Sequence, residues 1–292
     1  MKHIYYGYGA RFLSNFPLRG LSETNCEDEV ALIEVEVNVT IERDFQTGNV
    51  YSLQRKNGLF ILDLHGIVYS INRYSINVIT NHKELFYSTF YNIPLSILFV
   101  LHNRILLHSS AFVRDGQLYP ICAEKGIGKS TLVTYAYYKG NKFFCDDTLP
   151  LILIDDEIYA VSGTDFVKLN SDSCMQLQVT DFYSLKKNIN NKVYLNLRPY
   201  ERPIKLKKLY FMSKNHRETE TTVINSKLFS KALVLSSVVG ISWFTQELVS
   251  MIVNDKIYDN LCNNIQLIKF NVVENWENLD SNYLHLIKMV EP

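Results

Sequence analysis

Residues 123–131 read Ala-Glu-Lys-Gly-Ile-Gly-Lys-Ser-Thr, and no other stretch restricts the fold of this chain as much. The run fits a permissive phosphate-loop pattern: a small residue, four of any kind, then Gly-Lys-Ser/Thr. Such a loop needs a strand to deliver it and a helix to leave it. Its successive backbone N–H groups must turn inward together, and the positive end of the helix must face the same anion. The flanks comply. Gly116-Gln-Leu-Tyr-Pro-Ile-Cys122 reads as an extended segment, and Leu132-Val-Thr-Tyr-Ala-Tyr-Tyr-Lys139, followed by Gly140, reads as a helix closed by glycine. Gly126 and Gly128 keep side chains away from the anion, and Ala123 stands where glycine is more usual. The unit predicts a mixed fold, α/β or α+β, around a phosphate-loop core.

The residues before it have a different character. Ile33, Val35, Val37, Val39 and Ile41 alternate with Glu34, Glu36, Asn38 and Thr40, the period of a half-buried strand. Further strands are expected at 50–54, 58–64, 67–72 and 74–80, with turns at Asn57-Gly58 and His65-Gly66. Residues 1–90 are therefore expected to form a largely antiparallel β lobe, and 91–292 the domain that carries the loop. Lys83 to Asn103 reads as helix in two pieces, because Pro94 cannot sit inside a continuous one. Beyond it, 106–113 reads as a strand, Phe143-Phe-Cys145 as a short buried strand, and 149–154 with 158–161 as a hairpin. Strands at 192–197, 204–212 and 264–273, a helical region over 226–262 and a closing helix over 279–289 complete the reading.

A chain of 292 residues can bury a substantial core, and its formal net charge of zero leaves no global field to recruit nucleic acid or an anionic membrane. The cluster Arg202-Pro-Ile-Lys205-Leu-Lys207-Lys208 is local and reads first as a solvated strand face. Five cysteines, at 26, 122, 145, 174 and 262, are scattered without metal-ligand spacing, which points to a reducing cytoplasm. The first residues lack the apolar core of a secretory signal, and the longest apolar stretches, around 93–101 and 232–244, fall short of a membrane span. A cytoplasmic protein with neither nucleic-acid nor membrane partners is expected.

Two further features carry chemistry. Asp146 and Asp147 close an apolar strand seventeen residues after Lys129. A phosphate-loop enzyme needs a carboxylate at such a strand end for Mg²⁺, and two neighbours facing opposite ways can divide metal binding from proton acceptance. The plainer alternative is a solvated Asp-Asp turn. His108, polar within an apolar strand, is either a satisfied core residue or a partner that tunes one of these aspartates.

Leu106-Leu-His108-Ser-Ser-Ala111, Ala123–Thr131 and Gly140-Asn-Lys-Phe-Phe-Cys-Asp-Asp147 together resemble the catalytic half of the HPr kinase/phosphorylase family, firmly over about 104–165. The chain is most similar to the shortened HPr-kinase-like peptide serine kinases of lasso-peptide biosynthesis clusters. The resemblance implies ATP and Mg²⁺, with Ala123, Glu124, Lys125, Gly126, Ile127, Gly128, Lys129, Ser130 and Thr131 around the nucleotide. Lys129 would meet the β/γ-phosphates, Ser130 Mg²⁺ and Thr131 the α-phosphate; Asp146 would be the general base, Asp147 the metal partner, and His108 their support. The Glu-Ile/Val-x-Gly signature of true HPr kinases is absent, which argues against HPr as substrate. Asp165 is a candidate replacement metal acid, and Arg198 or Arg202 a candidate transition-state cation.

The expected function is transfer of the γ-phosphate of ATP to a serine hydroxyl of a peptide or protein, for example a ribosomal precursor peptide. Two alternatives stand beside it: a kinase of a small hydroxylated metabolite, and a non-catalytic ATP-binding switch or scaffold. Relatives form homo-oligomers, but no residue here fixes a subunit count.

Overall fold

The computed structural model describes residues 2–23, 33–42, 51–64, 66–179, 192–215, 217–273 and 275–288. Cys26, His65, Val50 and the ends of the first alternating segment (31, 32 and 43) lie outside the described residues.

The N-terminal part is one sheet. It contains β1 (His3–Gly7), β2 (Ala10–Ser14), β3 (Ile33–Ile41), β4 (Ser52–Lys56), β5 (Leu59–Asp63), β6 (Ile67–Ile71) and β7 (Ser75–Thr80). The spatial order is β1-β2-β3-β7-β6-β5-β4. The β4–β7 run is an antiparallel meander, as the turn signals suggest. β3 runs parallel to both β2 and β7, and the other four pairings are antiparallel, so the sheet is largely antiparallel as expected. Alternation in β3 does bury Val35, Val37 and Val39, but period-two patterning specifies a face and not a strand direction. The β1–β2 hairpin went unread because its turn, Tyr8-Gly9, places a tyrosine at φ 59° where turn chemistry favours Asn or Asp.

α1 (Lys83–Thr89) and α2 (Ile93–Leu101) follow, bent 51° apart, with Pro94 in the first turn of α2 where its missing N–H is harmless. Among the described residues no single helix is long and apolar enough to cross a membrane; only this bent pair passes by length and composition, and α2 is buried from Pro94 to Val100.

The second half supplies β8 (Ile105–Leu107), β9 (Ser109–Arg114), β10 (Gln117–Cys122), α3 (Lys129–Tyr138), β11 (Lys142–Cys145), β12 (Leu149–Ile154), β13 (Glu157–Ala160) and β14 (Phe166–Leu169). Then come α4 (Ser171–Gln176), β15 (Val193–Asn196), β16 (Ile204–Lys205), β17 (Lys208–Asn215), β18 (Glu220–Val223) and α5 (Lys227–Ser236). A 3₁₀ turn at Ile241–Trp243, α6 (Gln246–Val253), α7 (Lys256–Asn263), β19 (Gln266–Val273) and α8 (Leu279–Lys288) complete the chain. The region expected to be helical over 226–262 is thus broken into short pieces around Gly240, whose φ is 79°.

A mixed central sheet, ordered β11-β9-β10-β17-β19-β18, holds the parallel strands β10, β17 and β19 side by side. A second sheet, β16-β13-β12-β8, and a small pair, β14-β15, complete the strand set. The run 106–113 is not one strand. It changes sheet at His108: β8 pairs with β12, whereas β9 pairs with β10 and β11.

One buried cluster joins Phe12 and Tyr69 of the first sheet to Phe99 of α2 and to Leu106, Phe144 and Leu209 of the second half. A second, with Phe112, Tyr119, Val133, Phe143 and Phe270, lies where α3 and α8 cover the opposite face of the central sheet. Cys122, Cys145, Cys174 and Cys262 are buried free thiols, small apolar fillers in these clusters.

Candidate functional site: a phosphate loop facing an aspartate pair

The loop leaves the C-terminal end of β10 and enters α3 through Gly128, at φ 105°, with Gly126 at φ 91°. Both values lie in the left-handed region where glycine is favoured. A Cβ at either position would meet nothing within 4 Å, so both glycines face open space. No side chain caps the N-terminus of α3, which leaves its first N–H groups available to an anion. Glu124, Lys125 and Gly126 are exposed, as the outer wall of such a loop should be.

Lys129 is turned inward, with only 7% of its surface exposed. Its Nζ donates to Ala123 O at 2.7 Å and to His108 Nε2 at 3.0 Å. A lysine nitrogen donates in this pair, so Nε2 accepts and the imidazole proton sits on Nδ1. That nitrogen lies 3.9 Å from Asp147 Oδ1. Burial, and then the Lys129 charge, lower the His108 pKa and hold the ring neutral; burial also lowers that of Lys129. His108 can stand here because the change of sheet frees its side chain from either face, while its backbone N–H donates to Ser237 O at 2.7 Å.

The two aspartates diverge through the backbone. β11 ends at Cys145, and Asp147 takes φ 68°, so a bend rather than strand alternation separates the carboxylates. Asp146 is 3% exposed and fully engaged. Its Oδ1 accepts from Ser110 Oγ at 2.6 Å and from Ser130 Oγ at 2.7 Å, and its Oδ2 accepts from the backbone N–H of Lys168 at 2.8 Å. Burial, and then the neighbouring Asp147, push its pKa up despite these donors. The Asp147 side chain is 28% exposed and pairs through Oδ2 with Lys168 Nζ at 2.8 Å. Burial would raise its pKa, but Lys168 and then His108 pull it well below the usual carboxylate range. Lys168 is correspondingly raised: burial opposes its charge, and Asp147 more than offsets burial.

His108, Lys129, Ser130, Asp146 and Asp147 are thus brought together. Thr131 is not: its hydroxyl pairs with Ser173 Oγ of α4 at 2.9 Å. Asp165 stands apart, held by Asn196 and close to Gly20. Arg198 pairs with Glu201 on the surface, and Arg202 is exposed. The cation paired directly with Asp147 is Lys168, which the sequence reading missed. Its one visible signal is a lysine inside the alternating strand Phe166-Val-Lys-Leu169. Ser110, the second hydroxyl on Asp146, was also unread.

On the other side of His108 a cavity of about 850 Å³ opens between the loop, the C-terminal end of β17, α5 and residues 237–243. Space above the carboxyl ends of parallel strands is where α/β sheets bind ligands.

No protein-family model matches the chain. No curated protein matches it either. Among solved structures it is similar to the HPr(Ser) kinase/phosphatase from Coxiella burnetii, with 11% identity and a TM-score of 0.35, over 63% of this chain and 89% of that one. At that TM-score the likeness is too loose to carry a fold or an activity across.

Proposed function

We propose that the protein is an ATP-dependent, Mg²⁺-requiring kinase that phosphorylates a hydroxyl of a peptide or protein, serine foremost. One observation carries the reading: the Ser130 hydroxyl is bonded to Asp146 while Lys129 and Asp147 stand in the same cluster. The residues fit the groups this requires. Two left-handed glycines leading into an uncapped helix start suit phosphate oxygens, and a hydroxyl beside a carboxylate suits a hard divalent cation.

When bound, Mg-ATP supplies the transferable γ-phosphoryl and a cation that neutralises the phosphate oxygens. The loop amides and Lys129 would hold the phosphates, and Ser130 would hold the metal, with Asp146 fixing that hydroxyl from behind. This exchanges the aspartate roles expected from sequence. Asp146 has both oxygens occupied and almost no exposure, so it cannot take a proton from an incoming hydroxyl. Asp147 keeps Oδ1 facing His108 and is the reachable carboxylate. Asp147 accepts the acceptor hydroxyl's proton as the oxygen bonds to phosphorus, and the bond to the ADP oxygen breaks. His108 keeps Lys129 placed and hydrogen-bonded as the neutral imidazole. A strongly basic carboxylate is not needed, because positioning and charge neutralisation dominate phosphoryl transfer.

The test is incubation of the purified protein with Mg-ATP and precursor peptides encoded beside its gene, followed by mass analysis. A gain of one phosphate on a serine, abolished by Lys129→Ala, is expected. ATP binding with no transfer to any acceptor would leave the switch reading in its place.

A further inference from the structure

A strand seen face-on offers a cavity only alternate residues, because successive side chains point to opposite faces. The cavity beside the phosphate loop is lined by four consecutive residues of β17, Phe211, Met212, Ser213 and Lys214, so it meets that strand along its edge. The pairings agree. β10 accompanies β17 only through Ile121↔Tyr210 and Cys122↔Phe211, because the chain leaves β10 at Cys122 to become the loop. β17 continues to Asn215 with β19 on its other side. Among the described residues no strand pairs with it beyond Phe211 on the side β10 has vacated. Such an edge presents main-chain donors and acceptors to whatever fills the space.

The facing wall is apolar. Phe229 of α5 and Trp243 of the 3₁₀ turn line it while remaining 49% and 51% exposed. The charged residues on the lining are Lys214, Lys269 and Glu124, a surplus of positive charge. His108 forms part of the lining next to Lys129, so an occupant reaching it stands beside the phosphate loop.

We propose that this cavity takes an extended acceptor peptide, added to β17 as a strand in the place that β10 gives up. Its apolar side chains lie on Phe229 and Trp243, an acidic side chain faces Lys269, and its hydroxyl-bearing residue lies at the His108 end; this last placement rests on the kinase reading. A nucleoside base offers one short hydrogen-bonding edge, whereas an open strand edge is matched by the repeating amides of a peptide backbone.

Trp243 makes the test independent of turnover, since the chain has two tryptophans and Trp276→Phe leaves Trp243 as the sole indole. The probe is a blocked seven-residue peptide with a central serine, Leu and Val neighbours and one Glu, together with the same peptide N-methylated at alternate amides. Without nucleotide, the first peptide should shift Trp243 emission saturably. N-methylation in the register that faces β17, and separately Phe229→Ala, should each weaken binding about tenfold. Lys269→Glu should move the preference from the Glu peptide to its Lys counterpart. Emission that responds to adenosine and to no peptide would overturn the proposal and assign the cavity to the base. Binding indifferent to N-methylation in either register would overturn strand addition. Phosphate transfer to the same peptide is measured separately. Binding without transfer defeats the kinase reading and leaves the docking site standing. Transfer with KM unmoved by Phe229→Ala defeats the docking site and leaves the kinase reading intact.

Discussion

Replacing Lys168 by methionine isolates the electrostatics of the aspartate pair. Methionine keeps an unbranched apolar stem of similar length, so packing survives while the charge is removed. The backbone N–H of residue 168 still donates to Asp146 Oδ2, a 2.8 Å contact that does not depend on the side chain. What disappears is the 2.8 Å pair with Asp147, between side chains that are 15% and 28% exposed. Removing one partner of a buried pair costs about 3–5 kcal/mol, because the survivor is stranded in a poor solvent. Partial exposure of Asp147, and the imidazole on its other side, bring the expectation near 2–3 kcal/mol at about pH 8. In a chain of this size that is a fall in Tm of about 5 °C.

The pH dependence fixes the sign. In the wild type the Asp147 pKa is depressed, because Lys168 and His108 outweigh burial. Its stabilisation is therefore complete above the ordinary carboxylate pKa and is lost as pH falls through the depressed one. In Lys168→Met, burial and the charge of Asp146 act without that counterweight, and the pKa rises above its unfolded value. The penalty then grows as pH rises from the ordinary carboxylate value through the raised one. The Tm gap between the two proteins should narrow towards about pH 4 and be full by about pH 8. Adding Asp147→Asn to Lys168→Met should recover most of the loss at the higher pH. Scanning calorimetry at both pH values decides. A gap that is absent at the higher pH, that is equal at both, or that Asp147→Asn does not recover would refute the ion-pair account.

The remaining predictions concern catalysis. Asp147→Asn should lower turnover by about 10²–10³-fold with the Mg²⁺ requirement unchanged, whereas Asp146→Asn should raise the Mg²⁺ concentration needed by about tenfold; steady-state assays across a Mg²⁺ series separate them, and identical profiles would reject the division of roles. His108 should titrate below its reference value of about 6.5 in the free protein, and its pKa should rise when Mg-ADP is added, because phosphate charge joins Lys129 beside the ring. NMR of the imidazole reads both; a free-protein pKa at or above the reference would contradict a neutral ring accepting from Lys129.

What was legible in the sequence was local. The strand, loop and helix of 117–138 could be read because a phosphate-loop motif demands a fixed order of small, basic and hydroxyl residues between them. The bend between α1 and α2 followed from one proline, and the burial of Val35, Val37 and Val39 from alternation. What escaped were facts about partners distant in sequence. Lys168 meets Asp147 across 21 residues, and Ser110 meets Asp146 across 36. Neither lysine nor serine carries a local signature, since their value comes wholly from the carboxylates opposite them. The exchange of roles proposed for Asp146 and Asp147 has the same origin. Strand alternation gave them opposite faces but could not say which face held Ser130.

His108 shows why the site lies where it does. Apart from His108, Ser109 and Ser110 the run Leu106–Val113 is apolar, and a continuous strand would fit its composition equally well. A continuous strand would point His108 into one face of a single sheet, among the buried side chains of its neighbours. Passing from β8 to β9 instead sets the residue between two sheets, with its side chain 35% exposed and its backbone held by Ser237. From there one ring nitrogen meets Lys129 and the other faces Asp147. A single residue therefore couples the phosphate loop to the aspartate pair and borders the cavity beside them. The length of the break sets this geometry. One added residue between Leu107 and Ser109 would move the ring by about 3.3 Å along the chain, enough to break both contacts while leaving the pairings of β8 and β9 available. Such an insertion should fold, by calorimetry, and should lose the His108–Lys129 contact, so that the imidazole NMR signals no longer respond to Mg-ADP.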